Sequence, residues 1–143
     1  MLCREVMLPL VFKCAETATV TECAQRMRDE QIGFLPVVDG KGRMVGCVTD
    51  RDLAVRVLAE QRPATTPVCA VMSTGPFVTC LPDEPLSTIE RRMAEARKSR
   101  ALVLDAGGEV VGVISLSDIC VAESSPARAG ELLRDVAIRE ASP

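Results

Sequence analysis

Gly46-Cys47-Val48-Thr49-Asp50-Arg51-Asp52 is answered sixty-six residues later by Gly112-Val113-Ile114-Ser115-Leu116-Ser117-Asp118. Each stretch is a glycine, two apolar residues, a hydroxyl residue, two variable positions and an aspartate. The apolar part reads as a strand. A hydroxyl residue followed three positions later by an acid reads as the start of a helix. The same offset of 66 relates Cys14 to Cys80, Met27 to Met93, Asp39 to Asp105, Gly46 to Gly112 and Asp52 to Asp118. An offset of 65 relates Val6-Met7 to Val71-Met72, so one residue is inserted after the first pair. Self-similarity on this scale means two copies of one supersecondary unit.

Each copy predicts strand, helix, strand, turn, strand, helix. In the first, residues 11–14 form a short apolar strand. Val20, Cys23, Ala24 and Met27 fall on one helical face. Residues 34–39 are a nearly continuous apolar strand, which implies burial on both faces. Asp39-Gly40-Lys41-Gly42 is a turn, residues 43–49 return as its hairpin partner, and a helix beginning near Asp50 carries Leu53, Val57 and Leu58. The second copy repeats the order. Residues 78–81 are the first strand, Pro85 stands in the first turn of a helix with Leu86, Ile89 and Met93 on one face, and residues 100–105 and 109–115 are the hairpin. Residues 61–67, with two prolines and two threonines, read as a linker between repeats spanning 4–60 and 68–122. Residues 123–143 add a helix, with Ser125 as N-cap, Pro126 after it, and Ala129, Leu132, Leu133, Val136 and Ala137 at helical spacing. That helix either packs on the parent body or meets a partner. Residues 140–143 read as a frayed tail.

Composition narrows the chemistry. The 143 residues contain no histidine, which excludes imidazole bases, Ser-His and Cys-His pairs and His-containing metal sites. Asp50 and Asp52 point to different sides of a helix start and do not converge as an acid/base pair, so no enzyme activity is expected. Phe12, Phe34 and Phe77 are the only aromatic residues, so the core must be aliphatic and base-stacking platforms are absent. A net charge of −3 points away from nucleic acid and anionic membrane surfaces. The longest mostly apolar run, residues 6–12, contains Pro9 and is far short of the roughly 18 residues a membrane span requires. No signal peptide is read there. The seven cysteines form no C-x-x-C pair and mostly sit in apolar stretches. They are expected to be small buried hydrophobes in a reducing cytoplasm, and no metal site is expected from them.

The repeated motif has two chemical readings. A hydroxyl at the end of a strand caps a helix whose free N–H groups suit an anion such as phosphate. An aspartate three residues on can accept hydrogen bonds from a ribose diol, as the acidic residue of dinucleotide folds does. Gly46 and Gly112 would let a ligand or backbone approach closely. The same residues also make an ordinary N-cap worth about 1 kcal/mol.

The unit resembles the CBS domain, and the chain resembles a tandem pair of them, a Bateman module. The resemblance rests on Val6-Met7 and Val71-Met72, on the apolar strands ending in Asp39 and Asp105, and on the two Gly-to-Asp motifs. It implies an α/β (α+β) fold: two β-α-β-β-α repeats packed sheet to sheet about a pseudo-twofold axis, with the C-terminal helix added. It also implies clefts for an adenosine compound, AMP, ADP, ATP or a relative of S-adenosylmethionine, each built from both repeats. Cleft one would use Thr49 and Asp52 for ribose and phosphate, Phe77 and Val78 against adenine, and Ser99, Arg100 and Arg51 near phosphate. Cleft two would use Ser115 and Asp118, Val11 and Phe12 against the base, and Gly33 and Phe34 where cleft one has Ser99 and Arg100. With fewer cations, cleft two is expected to hold something less charged or nothing. No resident cofactor is expected, with Mg²⁺ entering only alongside ATP.

The function so implied is regulatory. An adenine nucleotide binds, and its state passes to a separate, unknown protein target, with a homodimer as the expected assembly of a bacterial signal-transduction module. The alternative is a structural dimerisation or interaction module with unoccupied clefts.

Overall fold

The computed structural model describes residues 1–9 and 12–140, the last three by backbone alone. The chain divides into two compact units, one formed by residues 11–76 and the other by residues 1–10 with 77–143. Val11, expected against the base of cleft two, and the end of the expected tail, residues 141–143, lie outside the described residues.

In the 11–76 unit, β2 (Cys14–Ala15) pairs parallel with β3 (Phe34–Val38), which pairs antiparallel with β4 (Met44–Thr49). Helix α2 (Val20–Glu30) crosses from β2 to β3. A capping box opens it: the Glu22 N–H donates to Thr19 Oγ1 at 3.1 Å, and the Thr19 N–H donates to the Glu22 carboxylate at 3.2 Å. Val20, Cys23 and Met27 are buried as their spacing predicts, but Ala24 is exposed. A methyl side chain loses little by facing water, so the periodicity overcounted it. At the hairpin turn, Asp39 Oδ1 accepts from the N–H groups of Lys41 and Arg43 at 2.8 and 3.0 Å. Those bonds hold the Asp39 carboxyl below the usual range.

In the other unit, β5 (Thr79–Cys80), α4 (Leu86–Ala96), β6 (Arg100–Leu104) and β7 (Val110–Ser115) repeat that order. Asp105 Oδ1 accepts from Gly107 and Glu109, both at 2.9 Å, so the aspartate shared by the two repeats is a turn residue in each. The first strand of each copy is only two residues long, shorter than the sequence suggests. Pro85 is the N-cap of α4 rather than its first residue.

The two Val-Met segments each serve the unit built around the other repeat's motif. After α1 (Cys3–Val6), β1 (Leu8–Pro9) pairs with β7, Leu8 opposite Val113 and Pro9 opposite Gly112. Ser73 follows Val71-Met72 and bridges to Cys47 on β4, its N–H donating to the Cys47 carbonyl at 2.8 Å. This accounts for the motif glycines. A Cβ on Gly46 would lie 2.6 Å from Met72 Sδ and 2.8 Å from the Ser73 carbonyl. A Cβ on Gly112 would lie 2.7 Å from Met7 Sδ and 3.1 Å from the Leu8 carbonyl. The close approach foreseen for these glycines is made by the chain itself.

Helix α6 (Pro126–Glu140) starts after Ser125, whose hydroxyl accepts from the Arg128 N–H at 3.3 Å. It buries Leu132 and Val136 in a cluster with Ile89, Met93, Ile114 and Ile119, so one side of it is core. The 11–76 unit has a smaller cluster of Cys23, Met27, Leu35, Val37, Val48 and Val68. Both cores are free of buried aromatics, as the composition requires. The fold also pairs cysteines that sequence spacing keeps apart. Cys3 and Cys80 are neighbours, and burial pushes the Cys80 thiol up to about 12. Cys14 and Cys23 are neighbours too, and that proximity raises Cys14 while lowering Cys23. Cys69 is exposed.

Candidate functional site

Each repeated motif folds into the same local structure. Thr49 ends β4 in an extended conformation and caps α3 (Asp50–Asp52). The Asp52 N–H donates to Thr49 Oγ1 at 3.1 Å, and the Thr49 N–H donates to Asp52 Oδ2 at 3.0 Å. Ser115 ends β7 and caps α5 (Leu116–Ala122). The Asp118 N–H donates to Ser115 Oγ at 3.1 Å, while the Ser115 N–H and hydroxyl donate to Asp118 Oδ2 at 2.8 and 2.6 Å. The stabilising reading of the motif is therefore real in both copies. It does not use up the carboxylates. Capping engages Oδ2, and among the described residues every hydrogen bond to either aspartate's carboxylate goes to that atom. Both aspartates are half-buried.

The strand registers place neighbours beside each cap. Phe34 is directly opposite Thr49, and Arg100 is directly opposite Ser115. Residues opposite one another in an antiparallel pair share a sheet face. Gly33 and Ser99 extend these contacts, since their carbonyls accept from the N–H groups of Asp50 and Leu116 at 3.0 and 2.8 Å. A Cβ on Gly33 would meet Asp50 Oδ2 at 2.9 Å, so an acid stands over that glycine. The family pattern grouped Ser99 and Arg100 with Thr49, and Gly33 and Phe34 with Ser115. Within each unit the ladder puts Gly33 and Phe34 beside Thr49, and Ser99 and Arg100 beside Ser115. Arg100 therefore shares a sheet face with Ser115.

The remaining expected residues fall in two groups. Arg51 is exposed on α3, and Phe12 is partly buried with the Arg26 guanidinium 5.5 Å from its ring centre. Phe77 and Val78 line a cavity of about 640 Å³ with Thr79, Arg92, Glu95 and Ala96. Arg92 donates to the Thr79 carbonyl at 3.0 Å and to Glu84 at 2.9 Å. Sequence reading missed Arg92 and Glu95 because they lie outside the apolar stripe of α4, where charge reads as solvation.

The second helix of the first copy departs from expectation. After Asp52 the chain widens into π-helical turns over Leu53–Leu58, with the Ala59 N–H reaching the Ala54 carbonyl at 2.9 Å. Leu53 and Val57 stay half-buried, but Leu58 turns outward and is 78% exposed. The wider turn breaks the 3.6-residue spacing that assigned Leu58 to the buried face. Arg56 enters the site here. Its Nη1 donates to the carbonyls of Val71 and Met72, both at 3.2 Å, and its Nε lies 3.7 Å from Asp52 Oδ1. The i, i+4 spacing of Asp52 and Arg56 points to the carboxylate contact, while the carbonyls of Val71 and Met72 are distant in sequence.

Among the described residues, no helix is long and apolar enough to cross a membrane, and no three His, Cys, Asp or Glu side chains gather as a metal site requires.

Known proteins resemble this chain along nearly its whole length. The family model described as CBS domain matches residues 3–59 and again 68–125. A CBS domain-containing protein of Bacillus subtilis is 32% identical over 133 residues, 93% of each chain. A CBS domain protein from Pyrobaculum aerophilum, solved in complex with AMP, superimposes with a TM-score of 0.75 at 24% identity, over 94% of this chain and 99% of that one. A CBS domain pair solved with 5′-methylthioadenosine and S-adenosyl-L-methionine gives 0.73 at 24% identity, over 85% of this chain and 94% of that one. At that identity the two solved structures establish the likeness of fold.

Proposed function

Because this chain belongs to the CBS domain family, with two repeats in tandem, we propose that it is a regulatory module that binds an adenosine compound and passes its occupancy to a separate protein. The observation that carries the proposal is the second oxygen of each capped aspartate. Oδ1 of Asp52 and Oδ1 of Asp118 are held by a rigid cap yet left out of it. A ribose diol offers two donors to such a carboxylate. The AMP, methylthioadenosine and S-adenosylmethionine complexes of proteins with this fold support the ligand class.

In this reading Asp52 and Asp118 are the two ribose anchors, each with its capping hydroxyl from Thr49 or Ser115. Arg51 and Arg100 serve phosphate, and the ladder favours Arg100 as a companion of Asp118. Phe77 and Val78 serve the base in one site. Phe12 and Val11 serve it in the other, with Gly33 and Phe34 beside them. The proposal assigns no reaction to the chain, and it includes a homodimer, to be read by sedimentation.

A thermal-shift screen with AMP, ADP, ATP, S-adenosylmethionine and methylthioadenosine tests the proposal. A ligand at a hundred times its Kd adds about 2.7 kcal/mol, which raises Tm by roughly 5–10 °C in a chain of this size. Unmoved melting with all five compounds would leave the interaction module as the better account.

A further inference from the structure

The two aspartates differ in what faces the oxygen that capping leaves over. Asp52 Oδ1 faces the Arg56 guanidinium at 3.7 Å, and the Ser73 hydroxyl reaches Asp52 Oδ2 at 3.5 Å. The counterparts of Arg56 and Ser73 by the repeat offsets are Ala122 and Leu8, neither of which carries a donor in its side chain. Arg56 also holds the carbonyls of Val71 and Met72. One planar cation thus touches both the carboxylate and the stretch of chain that enters the second repeat.

We infer that Arg56 is a positioning residue that ties the Asp52 carboxylate to the 71–73 segment, so that the state of Asp52 is felt there and the state of Asp118 is not. The geometry suits the role. Guanidinium presents several donors in a fixed fork, so engaging the carbonyls through Nη1 leaves Nε directed at the carboxylate. The tie is local: Ser73 continues the segment onto β4 by exchanging backbone hydrogen bonds with Cys47 at 2.8 and 2.9 Å. Asp52 and Arg56 are an i, i+4 pair, so the guanidinium that holds the Val71 and Met72 carbonyls stays beside the carboxylate. Where the inference concerns affinity, it rests on the reading of Asp52 as a ribose anchor. The tie itself does not.

Amide hydrogen exchange at Met72 and Ser73, whose peptide groups contain the two held carbonyls, tests it without ligand. Four proteins are compared: wild type, Asp52→Asn, Arg56→Met and the double variant. Each single substitution should speed exchange at these amides by about three- to tenfold, the fold-change of one partly exposed charged contact. The double variant should be no faster than Arg56→Met alone, because both remove one tie. A helix merely loosened by losing Arg56 would give additive effects, and additive or absent effects overturn the inference. A second arm measures AMP binding in an Asp118→Ala background, where Arg56→Met should weaken affinity by about three- to tenfold and Arg56→Lys by less. If the Asp118→Ala protein binds no AMP, the ribose reading of Asp52 falls, and the exchange cycle still decides the tie.

Discussion

The 11–76 unit and the unit formed by the chain's two ends are copies that put their resources in different places. The first is small in core and elaborate around its aspartate, where Asp52 meets Thr49, Ser73 and Arg56. The second is larger in core, with α6 adding Leu132 and Val136, and holds Asp118 through the Ser115 cap. The same motif can therefore be a rigid anchor in a well-buttressed unit and a connected anchor in a lighter one. That contrast is what a two-site sensor would need in order to treat two ligands, or two occupancies, differently.

The largest effect that can break this contrast lies in the core. Leu132→Ala should cost about 2–5 kcal/mol in chemical denaturation, because α6 completes the larger cluster. A loss within about 0.5 kcal/mol would show instead that α6 is an appendage, as ordinary surface changes behave. Next come the motif glycines. Gly46→Ala and Gly112→Ala should each cost about 1–3 kcal/mol by overpacking. Gly46→Ala should be the worse, because its Cβ meets a backbone carbonyl at 2.8 Å against 3.1 Å for Gly112. The reverse order would mean that the two Val-Met segments are not held as described. The caps are smaller. Thr49→Ala and Ser115→Ala should each cost about 1 kcal/mol. Ser115→Ala should cost more, since that hydroxyl also donates to Asp118 at 2.6 Å.

The smallest effect is the pH dependence that Glu84 contributes. The Leu81 N–H and Arg92 hold the Glu84 carboxyl below its ordinary range, and its counterpart in the first repeat is Ala18. A depressed folded pKa gives stability that is present above the unfolded value and lost as pH falls through the folded one. Urea midpoints should therefore drop in acid below the ordinary glutamate range near 4.5, and Glu84→Gln should flatten that drop. An unchanged profile in the variant would assign the acid sensitivity to other carboxylates.

Much of this was legible in the sequence because it is encoded locally. The capping residues, the turn aspartates Asp39 and Asp105, and the apolar faces of α2 and α4 depend on neighbours a few positions away. What sequence missed depends on distant partners or on departures from ideal spacing. The glycines looked like room for a ligand because nothing in the sequence says that Met72 and Met7 fill that room. That Arg100 lies opposite Ser115 follows from a hairpin whose alignment only pairing reveals. Arg56 was overlooked because a charge on a helix reads as solvation, and its contacts with the Val71 and Met72 carbonyls depend on chain fifteen and sixteen residues away.

If Asp52 and Asp118 are two separate ribose anchors, calorimetric titration of AMP into wild type, Asp52→Ala and Asp118→Ala will separate them. Wild type should bind, with each single substitution abolishing one site or weakening it by more than about tenfold, or 1.4 kcal/mol, while the other site stays measurable. Titration curves for both variants that overlay the wild-type curve would contradict the two-anchor reading.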